Sequence, residues 1–168
     1  LALARLEASL ALRGGEMMLV TQNVDDLHEK AGSKAIWHMH GELKAVVCQA
    51  CGVKGRWDDD LDANTDCWRC GKTGTLRPDV VWFGEVPYFM DEIYDRIASC
   101  DLFISIGTSG EVYPAAGFVN EARMVGAHTV ELNLEPSANA RTFTEGRYGP
   151  ASEVVEAWVN DFLGRGAS

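Results

Sequence analysis

Four cysteines in two pairs constrain this chain more than anything else in it. Cys48-x2-Cys51 and Cys67-x2-Cys70 are separated by fifteen residues. At that spacing two thiolate knuckles can close a tetrahedral zinc site. Four protein ligands leave the metal no open position, so the expected Zn2+ is structural, one per chain. The segment around the pairs is rich in Asp and Gly and poor in aliphatics. It cannot build its own core and needs a staple of this kind. Two disulfides or a redox C-x-x-C pair are the competing readings. Cys100 reads as a core thiol. Asp58, Asp60 and Asp62 alternate like the opening of a calcium loop. Ala63 and Arg69 stand where that loop needs glycine and glutamate, so a solvated acidic loop is expected.

The rest of the chain alternates apolar runs with helical patterns. Residues 1–13 predict an amphipathic helix stopped by Gly14-Gly15, and 16–20 a buried strand. Asp25 is expected to start a short helix that Gly32 ends. Extended runs follow at Ala35–Met39 and Leu43–Val47. After the cysteines come a strand at Val80–Phe83, a helix at Phe89–Cys100 and a strand at Asp101–Ile106. A helix at Ala115–Gly126, a strand at His128–Leu134 and a helix at Glu153–Leu163 complete the series. Such alternation implies βαβ units, hence an α/β fold with a parallel sheet covered by helices on both faces. The cysteine-rich piece interrupts it as an insertion.

Bulk properties exclude some classes. A net charge of −10 over 168 residues argues against a nucleic-acid partner, which needs a basic face. It suits solubility, and it suits steering of a lysine-rich peptide. No apolar run approaches the roughly 18 residues of a membrane span, no signal peptide is recognisable, and a cytoplasmic location is expected. The chain opens on leucine in mid-helix, which predicts an N-terminal part lying upstream.

In an open parallel sheet, ligands bind where strands end at their carboxyl side. Thr21-Gln22-Asn23 follows one apolar run, Gly107-Thr108-Ser109 a second and Asn133-Leu134-Glu135 a third. Three polar tips suggest one crevice, although each is also an ordinary strand-to-helix turn. Between the first tip and the cysteines stands His40-Gly41. A histidine can serve as a base near neutral pH, and a glycine beside it gives a ligand access. Taken alone, His40 reads better as a satisfied structural histidine than as a base. His38 has no identifiable partner and reads as structural, as does His128.

Together the runs TQNVD, HGEL, the cysteine quartet, LRPDVVWFGE, GTSGEVYPAAGF and ELNLEP, in this order, resemble sirtuins. These are the NAD-dependent protein-lysine deacylases, and the likeness is to their bacterial branch. The resemblance covers essentially the whole chain. It implies a Rossmann-like NAD-binding domain, 1–43 with 77–168, carrying a zinc-binding module at 44–76. It implies that His40 is the base, that Asn23 and Asp25 share in catalysis, and that Gln22, Asn23, Val24 and Asp25 line the nicotinamide-ribose pocket. Gly107, Thr108 and Ser109 match the cofactor loop. Asn133, Leu134 and Glu135 match the adenosine end, with Ala151 near the adenine. An acylated-lysine peptide would be clamped as an added strand between Val81, Phe83, Gly84 and Glu85 on one side and Glu111, Val112 and Tyr113 on the other. Phe83 would line the tunnel for the lysine side chain.

The implied reaction is deacetylation or desuccinylation, with the acyl group passing to ADP-ribose and nicotinamide released. The family's glycine-rich GAG-type motif is absent, so the first βαβ unit is expected to be missing and the chain alone to be nearly silent. The alternatives are a non-catalytic zinc-containing peptide binder that has lost the cofactor, and a zinc-ribbon nucleic-acid binder.

Overall fold

The computed structural model describes residues 1–165. They pack as two compact units, one made of Leu1–Met17 with the chain from Asp91 onward, the other of Met18–Met90.

The first unit is built on parallel strands β6 (Leu102–Ile106), β7 (His128–Asn133) and β8 (Glu145–Tyr148), in that spatial order. Side chains alternate along a strand. β7 therefore sends Val130 and Leu132 to one face, Thr129 and Glu131 to the other. Val130 and Leu132 join Leu6 of helix α1 (Ala2–Leu12) and Val155, Trp158 and Val159 of helix α5 (Ala151–Arg165) in one buried cluster. Arg5 ties the two helices, donating to Glu156 Oε1 at 3.0 Å and Asn160 Oδ1 at 2.7 Å. The opposite face is covered by α4 (Phe118–Met124), which buries Phe118, Val119 and Ala122 and lies against β6 and β7. A single 3-10 turn at Ala115–Gly117 precedes it, where the sequence pattern had suggested one continuous helix. Helix α3 (Met90–Ala98) buries Ile93 and Ile97 and sets Tyr94 edge-on to Phe118.

The pattern gave no sign of β8. Its residues, Glu-Gly-Arg-Tyr, lack the apolar alternation of a covered strand, because β8 is the outer strand of its sheet and carries charge, as edges often do. Arg147 bonds Glu145 at 2.8 Å and Asp161 at 2.7 Å.

In the second unit, β1 (Leu19–Thr21) and β2 (Ile36–His38) are parallel, joined through the short helix α2 (Leu27–Lys30). α2 starts two residues later than expected. Asp25 Oδ1 accepts the Leu27 N–H at 3.0 Å from outside the helix, and Asp26 turns to Lys30 and Lys44 at 2.7 and 2.9 Å. The antiparallel sheet runs β4 (Lys54–Arg56), β3 (Gly41–Cys48), β5 (Leu76–Val80). β3 begins directly after His40 and ends on the first cysteine. Buried Asp79 on β5 accepts from Tyr88 Oη at 2.6 Å and pairs with Lys54 Nζ of β4 at 2.9 Å.

The strand expected at Val80–Phe83 is shifted: β5 stops at Val80 and the chain turns. Glu85 closes that turn, accepting the Trp82 N–H at 3.0 Å through its carboxylate and donating its own N–H to Trp82 O at 2.9 Å. Gly84, with φ +92, supplies the left-handed corner. An apolar run thus forms an exposed tip rather than a buried strand. No described helix is long and apolar enough to cross a membrane.

Candidate functional site

β1 and β2 end level, with Thr21 opposite His38. Beyond that point three successive carbonyls of the segment after β1 are taken up by donors of the segment from β2 onward. His40 Nδ1 lies 3.2 Å from Gln22 O, His38 Nδ1 lies 3.2 Å from Asn23 O, and the Leu43 N–H donates to Val24 O at 2.8 Å. This lacing sets the turn 22–24 and leaves Asn23 exposed. A carbonyl can only accept, so a neutral His40 carries its proton on Nδ1 and keeps the Nε2 lone pair free. His40 is half-buried. Gly41 follows with φ +80, and a Cβ there would collide with the Asp79 carbonyl, so only glycine fits. Asp25, its Oδ1 held by the Leu27 N–H, has a fixed carboxylate close in sequence to Asn23.

His38 differs from its sequence reading. It is buried, and it has two partners, Asn23 O through Nδ1 and Glu29 Oε1 through Nε2 at 2.7 Å. Nothing in the sequence flagged Glu29, nine positions away on α2.

The cysteine quartet assembles as the spacing predicted. Cys48 and Cys70 sulfurs are 3.8 Å apart, as are those of Cys51 and Cys67, and all four lie within 4.8 Å of one another. A Zn–S bond of about 2.3 Å requires a tetrahedron edge of about 3.8 Å, so the cluster fits zinc. All are free thiols, which removes the disulfide reading. The two knuckles are built alike. The N–H of the glycine after each pair returns to the first cysteine's carbonyl, Gly52 to Cys48 and Gly71 to Cys67, both at 2.8 Å, with φ +71 and +69. The Thr75 hydroxyl, 3.3 Å from Cys48 Sγ, helps pull that thiol down, toward the thiolate a metal needs, while burial and the neighbouring sulfurs push the Cys51 thiol up. Cys100 stands apart, its thiol raised by burial. Asp58 pairs with Arg56 at 2.7 Å and Asp62 accepts from Asn64 and Thr65 at 2.9 Å. These acidic groups hold a local turn.

In the first unit, parallel strands bring three tips to one edge of the sheet: 107–109 after β6, 133–135 after β7, and Ala151 after β8 at the start of α5. Asn133 Nδ2 donates to Thr108 O at 2.7 Å, and Ala138 N–H to Ser109 O at 3.0 Å, so the first two tips are joined. Gly107 has φ +63 and open space where a Cβ would lie, which leaves that backbone accessible to a ligand. Leu134 is exposed. Buried Glu131, which the sequence did not single out, accepts from Tyr148 Oη at 2.8 Å and the Ser137 N–H at 3.3 Å, holding the loop from beneath.

Of the two runs assigned to peptide binding, Val81 donates its N–H to His40 O at 2.9 Å, which sets it beside the histidine. Phe83 is fully exposed at the tip of the Trp82–Glu85 turn. Val112 and Tyr113 of the other run are exposed as well.

A parallel α/β scaffold with polar strand ends, a laced histidine loop and a four-thiol cluster defines a zinc-carrying α/β protein of the ligand-at-strand-ends kind. The chain belongs to the Sir2 family, whose family model matches residues 2–114. It is 60% identical over 166 residues to an NAD-dependent protein deacylase of Caulobacter vibrioides, covering 98% of this chain and 69% of that protein. It is 55% identical over 163 residues to an NAD-dependent protein deacylase of Salmonella typhimurium, covering 97% of this chain. The chain spans 59% of the length of the Salmonella protein. Among solved structures, a Sir2 homologue in complex with NAD superposes with a TM-score of 0.86 at 32% identity, over 99% of this chain and 66% of that one. Sir2Af2 bound to a myristoylated histone peptide gives a TM-score of 0.78 at 28% identity, over 98% of this chain and 72% of that one.

Proposed function

We propose that the chain carries the chemistry of an NAD-dependent protein-lysine deacylase, moving an acyl group from lysine to ADP-ribose with release of nicotinamide. The observation that carries this reading is the 3.2 Å approach of His40 Nδ1 to the Gln22 carbonyl, which holds a neutral ring with Nε2 available as the base in the same loop as exposed Asn23. When bound, NAD supplies an electrophilic ribose carbon whose nicotinamide leaves as a neutral molecule. His40 Nε2 would accept a proton from a hydroxyl of the bound ribose, the group that receives the acyl. Asn23 orients ribose and water with its side-chain amide. Asp25, whose Oδ1 is fixed by Leu27, offers Oδ2 to the nicotinamide amide. Gln22 and Val24 shape the same pocket. Gly107, Thr108, Ser109, Asn133, Leu134, Glu135 and Ala151 would hold the adenosine side through backbone groups and hydroxyls at the strand ends.

Cys48, Cys51, Cys67 and Cys70 would hold Zn2+, which takes no part in proton transfer with all four positions filled. On this reading 44–76 is the zinc module and 1–43 with 77–168 the Rossmann-like domain. A reducing compartment, the cytoplasm, suits thiols kept for a metal. The test is a chimera in which these residues replace the matching part of the Caulobacter deacylase. Given NAD and an acetyl- or succinyl-lysine peptide, it should release one nicotinamide per lysine freed. Deacylation without NAD, or no nicotinamide at all, would overturn the assignment.

Substrate would be held by backbone groups of Val81, Phe83, Gly84 and Glu85 and of Glu111, Val112 and Tyr113, with the acyl-lysine stem along Phe83. Strand addition of this kind makes little demand on peptide sequence. Proline next to the acyl-lysine removes an N–H donor, and one hydrogen bond is worth about 0.5–1.5 kcal/mol net. The expected result is a several-fold lower kcat/KM for proline-flanked peptides than for alanine-flanked ones. Equal values would contradict strand addition.

A further inference from the structure

Both ring nitrogens of His38 face oxygens that only accept: the Asn23 carbonyl at Nδ1 and the Glu29 carboxylate at Nε2. A neutral imidazole has one N–H and can serve only one of them. The side chain is 9% exposed, so water is a poor substitute partner. We propose that His38 is a positioning residue that latches the Gln22–Val24 turn to α2 as a doubly donating imidazolium, and that loss of its proton frees the turn at Asn23.

The bond to Glu29 is the shorter, 2.7 Å against 3.2 Å, and is charge-assisted, so the proton that remains after titration stays on Nε2. Nδ1 then presents a lone pair to the Asn23 carbonyl, and attraction becomes repulsion. Of the three lacing bonds on carbonyls 22, 23 and 24, the central one alone depends on this second proton.

The charged and titratable groups around His38 are Glu29 on α2, with His28 acting on Glu29 in turn, and Glu42 at the start of β3. Burial pulls the His38 proton affinity down, and Glu29, the Asn23 carbonyl and Glu42 together push it above the ordinary histidine value. The latch is therefore fully closed below that ordinary value and opens as pH rises through the higher, folded-state midpoint.

The inference rests on the deacylase reading only in its second arm. The first arm is histidine NMR on the whole chain. His38 should show two protonated ring nitrogens at neutral pH, and the Asn23 carbonyl carbon should titrate at the same midpoint. Glu29→Gln keeps an acceptor without the charge and should move both midpoints to lower pH together. An Asn23 carbonyl indifferent to the His38 titration, or midpoints unmoved by Glu29→Gln, would overturn the latch.

The second arm is the pH profile of nicotinamide release by the Caulobacter chimera, with NAD and acyl-lysine peptide saturating. Its alkaline limb should shift down in Glu29→Gln. In His38→Asn, whose amide donates to Asn23 O at every pH, the limb should disappear while a merely structural role predicts a uniform loss. A limb unchanged in both variants would overturn the positioning role. If the chimera releases no nicotinamide at any pH, the deacylase reading falls, and the Asn23 titration in the chain itself still decides the latch.

Discussion

In the Caulobacter chimera, replacing His40 with alanine is expected to lower the deacylation rate by about 10²–10⁴-fold, the usual cost of losing a general base. Most of the loss should fall on kcat. The same substitution also gives up the Nδ1 bond to Gln22 O, so some of the effect would come from a slackened turn. His40→Asn separates the two causes. Its amide can donate to the Gln22 carbonyl but offers no base of useful strength. It should restore stability and NAD affinity while remaining as slow as alanine. Near-normal turnover in His40→Asn would remove the imidazole from the chemistry.

Cys67→Ser is expected to abolish metal binding and unfold the module around it. Cys67 is buried in a small cluster with Val46, Cys48 and Leu76, bordered by Cys51, Val53, Trp57 and Leu61. Two aliphatic side chains and two sulfurs are too little apolar surface to order this segment. Structural zinc contributes an apparent binding free energy of about 10–16 kcal/mol in small domains, comparable to the whole stability of an ordinary domain, about 5–15 kcal/mol. Metal analysis should fall from one zinc per chain to none, and amide signals of 44–76 should collapse into the unfolded range. The cluster of Leu6, Val130, Leu132, Val155, Trp158 and Val159 shares no residue with the module, so signals from those residues should persist. A metal-free protein with Val46 and Leu76 still ordered would contradict the account. Acid should mimic the mutation, because the ligands bind as thiolates and protons compete with the metal.

The cysteines were legible because metal ligation writes itself as spacing, and two short loops fix the geometry whatever surrounds them. β7, α1 and α5 were legible because each buries apolar side chains at its own period, and β6 because its run is strongly apolar, although its residues end up half-buried. His40 was legible only through its company, HGEL after TQNVD; the imidazole itself carries no signature. Three features escaped. β8 is polar because it is an outer strand. Trp82-Phe83 imitates a strand because exposed apolar tips use the same residues as buried ones, and only the Glu85 cap and Gly84 corner tell them apart. The His38–Glu29 pair is tertiary: its partners meet only once β1 and β2 are level.

β3 connects the two kinds of site. It leaves His40 at Gly41 and reaches Cys48, a metal ligand, through a bulge between Glu42 and Val46. Gly41 and Cys48 lie opposite Val80 and Leu76 of β5, four strand steps of about 3.3 Å apart, which sets them roughly 13 Å from each other. That is beyond the roughly 8 Å over which charge is felt at physiological salt, so the metal has no electrostatic hold on the base. The strand itself is the link, and its register depends on Cys48 staying in place. An electrophile that alkylates these thiols would therefore act as an inhibitor without resembling NAD or peptide. Its kinetic signature would be time-dependent loss of kcat, unprotected by either substrate, with zinc appearing in solution at the same rate.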